Sequence, residues 1–248
     1  LILAFGAKSF VPSIKGYSEN LENVFTLSHA VHAEKIKEYL DTKKDMKKAV
    51  VVGAGFIGLE MAEQLKAQGI DVTVLQRGQH PMPHLDWDMS IRIEDEMRKQ
   101  GIHFRPEETI AEVSGTTRLE SAVTTKGEVL EADLYIIATG VLPNTALATS
   151  IGVDLGETGA IVTDSTMQTN LEGVYAVGDV DESFHVITGK PIYRPMATTA
   201  NKMGRIAGDA MTGGTLRFQG ILGPGICRFF ALTIDQAGSP ETAALGDG

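Results

Sequence analysis

Cysteine is nearly missing from this chain: Cys227 is the only one in 248 residues. A lone thiol cannot form an internal disulfide, which points to a reducing compartment, the cytoplasm. Basic residues are also short. Lys and Arg number 22 against 32 Asp and Glu, a formal net charge of −10. Nucleic-acid binding without sequence preference needs cations that displace counterions, so no nucleic-acid partner is expected. No apolar run approaches the ~20 residues of a membrane helix, and no basic, cleavable leader is evident, so no membrane partner is expected. An initiator Met is missing too. The opening Leu1-Ile2-Leu3-Ala4-Phe5-Gly6 reads as a buried strand, the expectation for a piece of a longer protein. What is present, 43% hydrophobic and 22% charged residues, is ordinary globular composition.

The periodicity of the chain predicts its elements. Residues 29–40 carry Val31, Ala33, Ile36 and Leu40 at helical spacing, with Ser28 as N-cap. Lys43–Lys48 is a solvated linker. Ala49–Val52 is a strand, Gly53–Gly58 a glycine-rich turn, and Ile57, Met61, Ala62 and Leu65 mark a helix stopped by Gly69. Asp71–Leu75 closes a βαβ unit. A helix over 87–100 and a strand from Ile102 follow. From Thr109 to Ala132 the period becomes two, with a hairpin turn at Lys126-Gly127, which reads as an antiparallel meander. Leu134–Thr139 is a buried strand, 160–178 holds short strands ending at Gly178-Asp179, and 196–211 is a helix. Ile226–Ile234 reads as the β-leaning start of another domain. Leu1–Gly6 and Tyr135–Gly140 share one design: strand, small residue, glycine.

The main chemical signal is Gly53-Ala54-Gly55-Phe56-Ile57-Gly58. It follows a strand and opens a helix, the context that gives such a motif meaning. Gly53 makes the tight turn, Gly55 lets a pyrophosphate approach the backbone, and Gly58 lets the helix pack. Phe56 and Ile57 lie at the helix N-terminus, where free N–H groups and the helix dipole favour phosphate. The end of the second strand selects the nicotinamide cofactor. An acid there would bind the NADH ribose; Gln76 and Arg77 stand in its place, which favours NADPH over NADH.

Three motifs in order carry a resemblance: Gly53-x-Gly55-x-x-Gly58-x-Glu60, Ala138-Thr139-Gly140-x-x-Pro143-Asn144, and Thr169-x-x-x-x-Val174-Tyr175-Ala176-Val177-Gly178-Asp179. With Pro195–Arg205 and Phe218–Gly223, the chain resembles the FAD-dependent pyridine nucleotide–disulfide oxidoreductases. It is most similar to the branch of coenzyme A-disulfide reductase, NADH oxidase and NADH peroxidase. The resemblance implies an α/β fold: a Rossmann-like NAD(P) domain with an antiparallel meander, inserted in a split FAD-binding domain. Residues 1–47 would be a remnant of the first FAD segment, 48–145 the NAD(P) domain, 146–215 the second FAD segment, and 216–248 the start of a dimerisation domain. The cofactors implied are FAD and NADPH or NADH. Asp179 would meet the FAD ribityl or pyrophosphate, Ala197 and Thr198 the flavin ring, Glu60 the nicotinamide–flavin contact, and Gly140 the nicotinamide cofactor. Hydride would pass to flavin and on to a small-molecule acceptor: a disulfide, persulfide, peroxide or oxygen. The complete protein would be a homodimer.

This chain departs from the family at two places. Phe5 replaces the threonine usual in the first Ala-Thr-Gly, and the active cysteine is expected upstream of Leu1, so no catalytic residue is assigned here. Cys227 reads as a small buried or interface residue. Asp179, Asp181, Glu182 and His185 lack recognised metal spacing, and no metal is expected. Met196, Met203 and Met211 read as core filler. Two other functions fit the motifs: a nucleotide-binding fragment without turnover, and a flavoprotein that reduces a small electron carrier.

Overall fold

A computed structural model describes residues 1–241, which pack as two units. The larger takes Ser9–Gly140, Ile226–Asp235 and the described chain from Pro240; the other takes Leu1–Lys8, Val141–Gly225 and Gln236–Ser239.

The larger unit is built on a five-stranded parallel sheet in the order Val24–Thr26, Leu134–Ile137, Lys48–Val52, Asp71–Gln76, His103–Pro106. Both faces are covered, which is why the central strands are nearly continuous apolar runs. On one face Val51, Val72, Val74 and Ile136 pack with Leu59, Ala62 and Leu65 of the helix Phe56–Ala67 and with Ile93 and Met97 of the helix Trp87–Lys99. On the other, Val50, Val52, Leu75 and Tyr135 meet Ile110, Val113 and Ala122. Those three belong to the expected meander, the strands Ile110–Ser114, Ser121–Thr124 and Val129–Leu130.

Two local expectations fail here. The first helix runs Ala30–Thr42 and buries only Ile36, while Val31 is 56% exposed. It flanks the edge strand Val24–Thr26, so a narrow stripe suffices. Its N-cap is His29, not Ser28; the Ser28 N–H donates instead to His32 Nδ1 at 3.3 Å. The apolar run after Gly225 is β-structured, as its composition suggests. It folds as a hairpin, Gly225–Phe229 and Leu232–Gln236. Cys227, Phe229 and Ile234 enter the core that holds Leu59 and Leu65, and the Phe230 N–H donates to Glu63 Oε2 at 2.8 Å.

In the smaller unit Ile2–Leu3 pairs in parallel with Tyr175–Ala176. The opening run is less buried than its composition suggests: Leu3 is covered, but Leu1 is 65% exposed. Between 160 and 178 only Tyr175–Ala176 is a strand. Asp164 bends the chain there by accepting the Thr166 and Gln168 N–H groups, and isolated bridges replace a ladder. The helix Ala197–Met211 buries Met203, Ile206 and Ala207. Met211, expected in the core, is 46% exposed at the last turn.

Candidate functional site

The strand Lys48–Val52 ends in the glycine-rich turn, and each glycine has a different physical reason. Gly53 has φ +106°, and a Cβ on it would lie 2.3 Å from the Ala138 carbonyl oxygen. At Gly58 a Cβ would lie 1.9 Å from the Gly53 oxygen, so the helix can close on the turn only with glycine there. Gly55 is the opposite case. It is the helix N-cap, it brings no side-chain cap, and a Cβ would meet nothing within 4 Å. Open space over an uncapped helix N-terminus fits a phosphate group, which would accept from the backbone of Phe56, Ile57 and Gly58.

Neighbouring segments hold this turn. The Gly53 N–H donates to the Leu75 carbonyl at 2.7 Å, and the Met82 N–H to the Ala54 carbonyl at 2.8 Å. Gln76 does not simply face outward. Its Oε1 accepts the Ala54 N–H at 3.1 Å, tying the end of the second strand to the turn. Arg77, the next residue, is exposed and makes no hydrogen bond or ion pair among the described residues. Glu60 is exposed on the first turns of the helix. Gly140 is also exposed, at φ +111°, two residues beyond the carbonyl that crowds Gly53. Gly6, which ends the similar opening run, also has a positive φ, +64°. Sequence reasoning missed Phe10, whose N–H donates to the Gly140 carbonyl at 2.9 Å and whose carbonyl accepts the Thr139 hydroxyl at 2.6 Å.

In the smaller unit Gly178 and Asp179 form a tight turn. Gly178 has φ +82°, and its Cβ would touch Ala200 Cβ at 3.6 Å. The Asp179 carbonyl accepts the Tyr193 hydroxyl at 2.8 Å. Burial, and then the Asp179 charge, push the Tyr193 hydroxyl well above its ordinary range. Ala197 and Thr198 are exposed at the start of the helix, whose N-cap Met196 supplies no side-chain bond and whose first turn has no acid.

Cys227 is 6% exposed. Burial, with the charges of Glu60 and Glu63, pushes its thiol up to about 11. A thiol kept protonated is not a nucleophile. The acidic stretch after Asp179 divides: Asp181 and His185 are buried, and Glu182 accepts from the Thr158 hydroxyl and N–H.

A parallel sheet whose first βα turn leaves Gly55 open and packs Gly53 and Gly58 shut defines a Rossmann-like, dinucleotide-binding α/β protein. The comparisons then give the family. The pattern of the pyridine nucleotide-disulphide oxidoreductases matches residues 1–204, and the chain belongs to that family. It is 43% identical over 249 residues to an NAD(P)H sulfur oxidoreductase (CoA-dependent) of Pyrococcus abyssi, covering 100% of this chain and 55% of that one. The structure of an NAD-dependent persulfide reductase from A. fulgidus superposes with a TM-score of 0.93 at 38% identity, over 100% of this chain and 45% of the other. An engineered water-forming NADPH oxidase bound to NADPH, derived from the Lactobacillus brevis NADH oxidase, gives 0.91 at 29% identity, over 100% and 54%. The chain thus spans about half the length of the relatives it matches. Among the described residues no helix is long and apolar enough to cross a membrane.

Proposed function

We propose that the chain is part of an FAD-dependent NAD(P)H oxidoreductase that reduces a small sulfur acceptor, a persulfide or disulfide. The observation that carries this reading is the division of labour among the three glycines: two are filled by backbone, and the third is open at a helix N-terminus. Relatives named for sulfur, persulfide and CoA-disulfide reduction support the acceptor class. When bound, the nicotinamide would supply a hydride and the flavin would accept it and pass on the electron pair. The backbone at Gly55–Gly58 would hold the dinucleotide pyrophosphate. Asp179 would accept hydrogen bonds from the flavin's ribityl chain or its neighbourhood, and Ala197 and Thr198 would present backbone N–H groups to the ring. The complete protein would be a cytoplasmic homodimer, with its active cysteine outside this chain.

NADPH is the proposed donor. Arg77 is an exposed guanidinium with no hydrogen bond or ion pair among the described residues, at the strand end that would meet the cofactor's adenosine ribose. In the engineered NADPH oxidase, five substitutions include an aspartate replaced by alanine and the next residue, alanine, by arginine. The test is a titration of the flavin-loaded protein with both nucleotides. Arg77→Ala is expected to weaken NADPH by about 10- to 100-fold, the ~1.5–3 kcal/mol of a charged hydrogen bond, and to leave NADH unchanged. Equal loss for both nucleotides, or for neither, would refute the assignment.

A further inference from the structure

Asp181 is the least explained charged residue in the smaller unit. It is 4% exposed and lies in no ion pair among the described residues. Its Oδ2 accepts the Thr163 hydroxyl at 3.0 Å. Among the described residues its Oδ1 is buried with no hydrogen-bond partner. Buried polar atoms are nearly always paired, and an unpaired carboxylate oxygen is among the most costly to leave so. The charges near it make matters worse. On its own segment stand Asp179 and Glu182. The facing segment, bridged through Ile161, brings the neutral Thr163, while Asp164 is turned away to accept from Thr166. Among the described residues no Lys or Arg forms an ion pair with it, and the titratable His185, also buried, stands on its own segment.

The backbone of the same residue closes a turn. The Asp181 N–H donates to the Gly178 carbonyl at 3.0 Å. Ile161 brackets it, donating to the Val180 carbonyl at 3.0 Å and accepting the Glu182 N–H at 2.8 Å. Asp179 stands at the outer corner of this turn. Two peptide units join Asp179 to Asp181 within this turn.

We propose that Asp181 is a proton-holding positioning residue: as the uncharged acid it locks the Gly178–Asp181 turn and so fixes Asp179, and on losing its proton it releases the turn. That Asp179 then meets the flavin rests on the function proposed above; the lock itself does not. Burial pushes the Asp181 carboxyl up to about 8, against the lowering by the Thr163 hydroxyl and the Glu182 N–H, and the Glu182 charge adds to the rise. The turn is thus locked at neutral pH and opens in mildly alkaline solution.

The test compares the wild-type protein with Asp181→Asn, which keeps the shape and cannot ionise. Melting temperature is followed from pH 4 to 9.5, and amide hydrogen exchange at 178–182 from pH 7 to 9.5. A group whose pKa is raised on folding contributes stability below its unfolded value and loses it as pH rises to the folded value. The two melting curves should therefore meet near pH 4, separate up to pH 8 in favour of the Asn variant, and run parallel above. Exchange at 178–182 should rise in wild type relative to Asp181→Asn by up to about tenfold per pH unit as pH approaches 8, and level off above it. Thr163→Val, which removes a donor to the charged form, should move the break to higher pH. Melting curves parallel over the whole range, or a break that exchange at 178–182 does not follow, would overturn the proposal. Absence of a flavin band in both proteins would sink the flavin reading while these two measurements still decide the lock.

Discussion

Replacing Gly55 with alanine should separate binding from folding, and the structure says by how much. Gly55 has φ −85° and ψ −169°, a conformation that alanine adopts freely, and its new methyl group would meet nothing within 4 Å. Alanine is a poorer N-cap than glycine by several tenths of a kcal/mol to about 1. It also restricts the unfolded chain, which returns about 0.4–1 kcal/mol. The two effects nearly cancel, so the melting temperature should move by no more than about 2 °C. The methyl group would nevertheless stand over the helix N-terminus, where a pyrophosphate must approach. Losing one or two charged hydrogen bonds at about 1.5–3 kcal/mol each weakens NADPH at least tenfold. Gly58→Ala should do the reverse. Its Cβ would lie 1.9 Å from the Gly53 oxygen, where ordinary contact begins at 3.4 Å, so helix and turn must part by about 1.5 Å. Overpacking of that kind costs about 1–3 kcal/mol or more, and Gly58→Ala should melt several degrees early. Calorimetric NADPH titration and thermal unfolding of both variants provide the readout. A Gly55→Ala protein that binds NADPH like wild type would show that the open face of the turn is not the ligand face.

Two further outcomes test the packing. Cys227 should resist a thiol reagent at neutral pH until the protein unfolds, and its titration should lower stability as pH rises from 9 toward 11, because the folded thiol holds its proton longer; rapid labelling of the native protein would contradict this. Asn23, fully buried, exchanges two hydrogen bonds with the Leu119 backbone at 2.8 and 3.0 Å. Asn23→Ala leaves both backbone groups unpaired and should cost about 2–4 kcal/mol, read as a lower urea midpoint with an unchanged slope.

The glycine turn was legible because its signals are local: a β-branched run, three glycines at fixed spacing, then a 3.6-residue period. The meander announced itself by a change of period. The signals that failed concern partners distant in sequence. Nothing in Ile226–Ile234 says that Cys227 and Phe229 pack beside Leu59, since the same alternation would suit any apolar surface. Gln76 was read as a ribose-side residue because its position is what a motif reports; that its amide oxygen is held by Ala54 depends on a side-chain rotamer. Asp181 stood in an acidic cluster weighed only for metal spacing, and its burial goes with the bridge to Ile161, which no spacing encodes.

The hairpin from Ile226 to Asp235 also has a consequence for synthesis. It completes the core over Leu59 and Leu65, yet it leaves the ribosome 95 residues after Gly140, the last residue of the parallel-sheet region. At ordinary elongation rates that delay is roughly 5–20 s. During it, the helix bearing the dinucleotide turn presents to the cell the apolar surface that Cys227, Phe229 and Ile234 later cover. Nascent chains should therefore be chaperone clients until the hairpin emerges, and release from the chaperone should track residue 235, not residue 140.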